Sequence, residues 1–126
     1  MQQNELKKNN ANYEPLTPIV FLEKAAKVFP NRYSIIHENK YFTWEQTLLR
    51  CTQLASSLSQ KLTKGNVVGF IASNTPELYE AHFGVPMAGM ILNAINYRLD
   101  AKTIACLLYT SPIPRDMRRS RMPSSA

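Results

Sequence analysis

The chain has 126 residues, of which 44% are hydrophobic and 19% charged, with a formal charge of +6. This composition excludes intrinsic disorder over the body of the chain, and the length is enough for one domain with a buried core if the whole domain is present. Half of the charge, +3, falls in residues 106–126 (Arg115, Arg118, Arg119 and Arg121 against Asp116), and the remainder forms no basic cluster, so no nucleic-acid partner is expected.

Residues 1–12 are polar and without periodicity, as in a disordered leader. From Tyr13 the character changes. Thr17 can cap, and Pro18 opens a helix whose apolar stripe runs through Val20, Leu22, Ala25, Ala26 and Val28 before Pro30 and Asn31 stop it. Ser34 to His37 and Lys40 to Thr43 read as two short strands around Glu38-Asn39, a hairpin. Thr43 and Gln46 have capping-box spacing, and Leu48, Cys51, Leu54, Ala55, Leu58 and Leu62 follow at helical intervals above a polar face.

Lys64-Gly65-Asn66 breaks that helix, and the unbroken apolar run Val67 to Ala72 predicts a strand covered on both faces. Thr75 as cap and Pro76 at the first helical position then start a helix, which Pro86 is expected to kink or interrupt and Gly89 to end. Met90 to Ile95 predicts a second buried strand, and Asp100 caps a further helix from Ala101. Strand, helix, strand in this order implies a parallel crossover and an α/β fold.

Residues 106–126 read differently. Back-translated, CLLYTS becomes TGT CTC TTA TAC ACA TCT, the end of a transposon-type sequencing adaptor, and SRMPSSA becomes the flow-cell sequence that follows it. The expected division is therefore a leader over 1–12, family sequence over 13–105, and non-native adaptor translation over 106–126.

Chemistry-bearing patterns are sparse. Cys51 and Cys106 supply no disulfide framework, and His37 and His82 are far apart in sequence without a His or Cys at ligand spacing, so no metal site is expected. The four glycines form neither a P-loop nor a dinucleotide fingerprint. Ser73, His82 and Asp100 could make a triad on paper, but Ser73 lacks the Gly-x-Ser-x-Gly elbow. His82 reads as a hydrogen-bonded core or interface residue and Trp44 as a packing residue, Glu77 and Glu80 as complements to a helix dipole, and Asn93 and Asn96 as candidates to hold a ligand at a strand end. The start MQQNELKKNN has neither the apolar stretch of a secretion signal nor the arginines of a mitochondrial presequence, and Phe83 to Leu92 is too short for a membrane span. An intracellular, reducing compartment is expected.

Three blocks go further than periodicity: NYEPLTPIVFLEKAAKVFPNRYSI, YFTWEQTLLRCTQLASSLS and NTPELYEAHFGVPMAGMILNAINYRLDAKTIA. Together they resemble the start of the adenylate-forming acyl-activating enzymes, in the plant-type branch that holds benzoate and short- or medium-chain acyl-CoA ligases. The resemblance implies an α/β scaffold from the large N-terminal domain. It also implies a parent enzyme that joins a carboxylic acid to ATP as an acyl-adenylate, releasing pyrophosphate, and then forms the thioester with coenzyme A, with Mg2+ as cofactor and a peroxisomal or cytoplasmic location. The family's phosphate loop, ribose-binding Asp and catalytic Lys lie downstream of Ala105. Hence no catalytic, cofactor-binding or metal-binding residue is assigned on this chain, and the chain alone is expected to be inactive. The alternative is a non-catalytic α/β interaction or regulatory module with a basic tail.

Overall fold

The computed structural model describes residues 13–110. The expected leader and residues 111–126 lie outside the described residues. Helix α1 (Pro18–Val28) starts where Thr17 accepts the Val20 N–H on its hydroxyl at 3.3 Å, with Pro18 supplying the pre-set backbone of the first turn. Its buried side chains, Leu22 and Ala26, are one turn apart. Strands β1 (Tyr33–His37) and β2 (Lys40–Thr43) pair antiparallel, and a bulge between Tyr33 and Ile35 lets β1 begin one residue earlier than its apolar pattern shows. The turn places Glu38 at a φ of 51°, the left-handed conformation a tight hairpin demands.

Thr43 ends the hairpin and begins α2 (Trp44–Lys61) with a complete capping box. Its hydroxyl accepts the Gln46 N–H at 3.3 Å, and Gln46 Oε1 accepts the Thr43 N–H at 3.0 Å. Beyond the Gly65 turn, β3 (Val67–Ala72) lies parallel to and beside β4 (Ile91–Asn96), in register from Val67 opposite Ile91 to Ala72 opposite Asn96. Helix α3 (Pro76–Met87) connects them, which makes the fold α/β. Asp100 caps α4 (Ala101–Thr110), its carboxylate accepting both the backbone N–H (3.0 Å) and the hydroxyl of Thr103. No described helix is long and apolar enough to cross a membrane.

The core lies where α2 and α3 meet the sheet. Ala81, Val85, Ala88 and Met90 are buried there, with Leu54, Ala55 and Leu58 of α2 on one side and Val68, Phe70 and Leu92 of the strands on the other. Gly84 sets how closely the two helices approach. A Cβ at that position would lie 2.8 Å from Leu54 Cδ2 and 3.0 Å from the Cys51 carbonyl oxygen.

Three expectations are corrected. Pro86 does not interrupt α3. It sits in the last turn, where the helix ends one residue later at Met87 and few backbone bonds remain to be lost. Thr75 occupies the N-cap position with extended backbone but makes no side-chain cap bond. Cover on both strand faces is also incomplete: Val68, Phe70 and Leu92 face the core, whereas Ile71 and Ile91, which alternate to the other face, remain 49% and 42% exposed. On that second face Leu108 of α4 reaches Gly69, where a Cβ would stand 3.3 Å from Leu108 Cδ2, and Ile95 is buried.

Candidate functional site

Two adjoining clefts meet on α3. The first, of about 620 Å³, runs between β1 and the N-terminal half of α3. Ile35, Ile36, Leu78, Tyr79 and Phe83 make it largely apolar, and His37 and His82 bring imidazoles to its lining. The Tyr79 and Phe83 rings hold each other edge to face at 5.2 Å, one helical turn apart. Burial pushes the Tyr79 hydroxyl above its ordinary pKa, so it stays a neutral donor.

The second cleft, about 500 Å³, opens at the C-terminal ends of β3 and β4, where parallel sheets commonly hold ligands. Asn74, Asn96 and Arg98 line it with His82. Asn96 Oδ1 accepts the Arg98 backbone N–H at 2.9 Å, an Asx-type turn that fixes the start of the loop. Arg98 Nε donates to the Tyr97 hydroxyl at 3.1 Å, with the guanidinium carbon 5.5 Å from the centre of that ring. Both clefts are lined by Asn74, Leu78 and His82, so they adjoin at these three residues.

Away from the lining of both clefts, α2 and α3 are joined by Arg50 and Glu80. Glu80 is 5% exposed, and Arg50 meets it with two parallel bonds, Nε to Oε1 and Nη2 to Oε2, the latter 3.0 Å. The guanidinium carbon also stands 4.6 Å from the centre of the Phe42 ring, which ties in the hairpin. The hydrogen bonds to Glu80 raise the Arg50 pKa, keeping it charged. Beside them Cys51 is fully buried, its thiol donating to the Glu80 carbonyl at 3.6 Å, and burial pushes its pKa up to about 11. Such a thiol is a packing group rather than a nucleophile.

The residues singled out from sequence fall into place unevenly. Asn96 lines the second cleft, whereas Asn93 sits mid-strand opposite Gly69 and does not. His82 is exposed rather than in the core, and it is hydrogen-bonded as expected, with Nδ1 2.8 Å from the Leu78 carbonyl oxygen. Ser73, His82 and Asp100 make no triad bonds: the Asp100 carboxylate is engaged by Thr103, whose hydroxyl and N–H hold its pKa low, and Ser73 makes no bond to His82. Trp44 is half-buried at the head of α2. Glu77 is a dipole complement as expected, its pKa lowered by its own backbone N–H and by the Thr75 hydroxyl. Glu80 is not, because its carboxylate belongs to the buried pair with Arg50. Neither that pair nor the presence of His37 and His82 in the lining of one cleft was visible in the spacing, since both bring together residues distant in sequence.

The profile of the AMP-binding enzymes matches residues 22–113. This chain belongs to that family. Among relatives in it, an acetate–CoA ligase of Humulus lupulus is 54% identical over 106 residues, covering 83% of this chain and 19% of that protein. A peroxisomal benzoate–CoA ligase of Arabidopsis thaliana is 56% identical over 99 residues, covering 78% of this chain and 17% of that enzyme. The chain thus spans less than a fifth of the length of these relatives. Among solved structures, a protein described as a long-chain-fatty-acid CoA ligase of Rhodopseudomonas palustris superposes with a TM-score of 0.65 at 32% identity, covering 69% of this chain and 22% of that one. The N-terminal subdomain of Klebsiella oxytoca NpsA gives 0.68 at 23% identity over 72% of this chain and 24% of that one, a likeness of fold.

The residues present do not fit the nucleotide and metal that the family implies. Among the described residues no group of three His, Cys, Asp or Glu side chains could hold a metal ion. The two glycines with positive φ, Gly65 and Gly89, are joined by a 2.9 Å backbone bond at the N-terminal ends of the strands and line neither cleft.

Proposed function

We propose that this chain is the N-terminal scaffold segment of a longer acyl-CoA ligase, one that converts a carboxylic acid, ATP and coenzyme A into an acyl thioester, AMP and pyrophosphate. The observation that carries the reading is the 50 to 56% identity, sustained over 99 to 108 residues, to plant enzymes named for acetate, butyrate, benzoate and 2-methylpropanoate. Short aliphatic and aromatic monocarboxylic acids are accordingly the proposed substrates, and Mg2+ the proposed metal. Peroxisomal names among the relatives support a peroxisomal or cytoplasmic location for the longer enzyme.

In this reading the segment contributes architecture. It supplies a helix pair locked on one face of a sheet and leaves the groups that hold nucleotide and acyl carbon to downstream sequence. Catalysis of this kind depends on reactants held together and oriented, so a segment without those groups has no turnover. The test is ATP–pyrophosphate exchange with acetate, butyrate, octanoate and benzoate, run on this chain and on the longer reading frame cloned from transcript. Exchange by the longer protein and none by this chain is expected. A longer protein inert to every acid would overturn the reading. The adaptor origin of residues 106–126 is a proposal on the same footing, and recovering SPIPRDMRRSRMPSSA from genomic DNA beside the rest of the gene would sink it.

A further inference from the structure

We draw no further inference here: the strongest candidate, the apolar outer face of the β3–β4 sheet on which Ile71 and Ile91 are exposed, carries nothing because nothing in the structure shows what covers it.

Discussion

The seam between α2 and α3 and the outer face of the β3–β4 sheet are built from similarly apolar sequence, yet only the seam is closed. At the seam Ala81 and Val85 are 0% and 1% exposed, and Leu54 and the Cys51 carbonyl lie so near Gly84 that a Cβ there would stand 2.8 and 3.0 Å from them. On the outer sheet face Ile71 and Ile91 keep nearly half their surface in solvent, although Leu108 of α4 reaches Gly69 between them. The difference teaches where this segment carries its own stability. One face of the sheet is completed by chain lying close in sequence, while the other shows apolar surface of the kind that further structure normally covers.

The strongest way to break the comparison is to place a charge in the seam. Val85→Asp leaves an unpaired carboxylate in the core and should cost more than about 4 kcal/mol, enough to remove the folded baseline in urea titration followed by circular dichroism. A cooperative transition like that of the unsubstituted chain would show that the seam is not what holds the fold. Arg50→Ala strands the buried Glu80 carboxylate. Because the Arg50 side chain is 38% exposed, solvent screens part of the loss, and about 2 kcal/mol is expected from the same titration. Adding Glu80→Gln to Arg50→Ala should recover part of that loss, and no recovery would mean the pair acts only through packing.

Cys51 sharpens the comparison through pH. Its folded pKa is raised to about 11 from an ordinary 9.0, so the folded state holds the thiol proton more tightly than the unfolded state does. The contribution is fully present below pH 9 and is lost as pH rises through 11, an effect on the order of 2 kcal/mol that Cys51→Ala should abolish. Stability that is flat over this window in the unsubstituted chain would place the thiol in contact with water. The smallest effect belongs to the open face: Ile71→Thr should change unfolding free energy by less than about 0.5 kcal/mol, measured beside Val85→Asp. A loss as large as the seam's would mean that the outer face is closed in solution.

Much of the secondary structure was legible because its signals are local. The box between Thr43 and Gln46, the cap of Thr17 on Val20 and that of Asp100 on Thr103 each join residues three apart, so the chain announces them without any fold. Pro86 was misread for a related reason: proline weakens a helix wherever it stands, but only position within the helix decides whether a bond is lost, and near a C-terminus little is. The second cleft was only half legible. Asn96 was found from its place after a strand, whereas Arg98 gave no signal, since a lone arginine in a turn resembles any solvated charge.

By itself, the sequence determined the order of helices and strands, the caps of Thr17, Thr43 and Asp100 and the family to which the chain belongs, because these rest on hydrogen bonds within a turn and on residue identities in order. Tertiary structure alone decided that Arg50 meets Glu80, residues 30 positions apart, that His37 and His82 line one cleft, and which face of an apolar strand is left open. Those contacts arise only when α3 packs against α2 and carries its own side chains toward the hairpin and the strand ends. Packing acts between surfaces, and the spacing of residues along one segment records which surface is apolar without recording what will cover it.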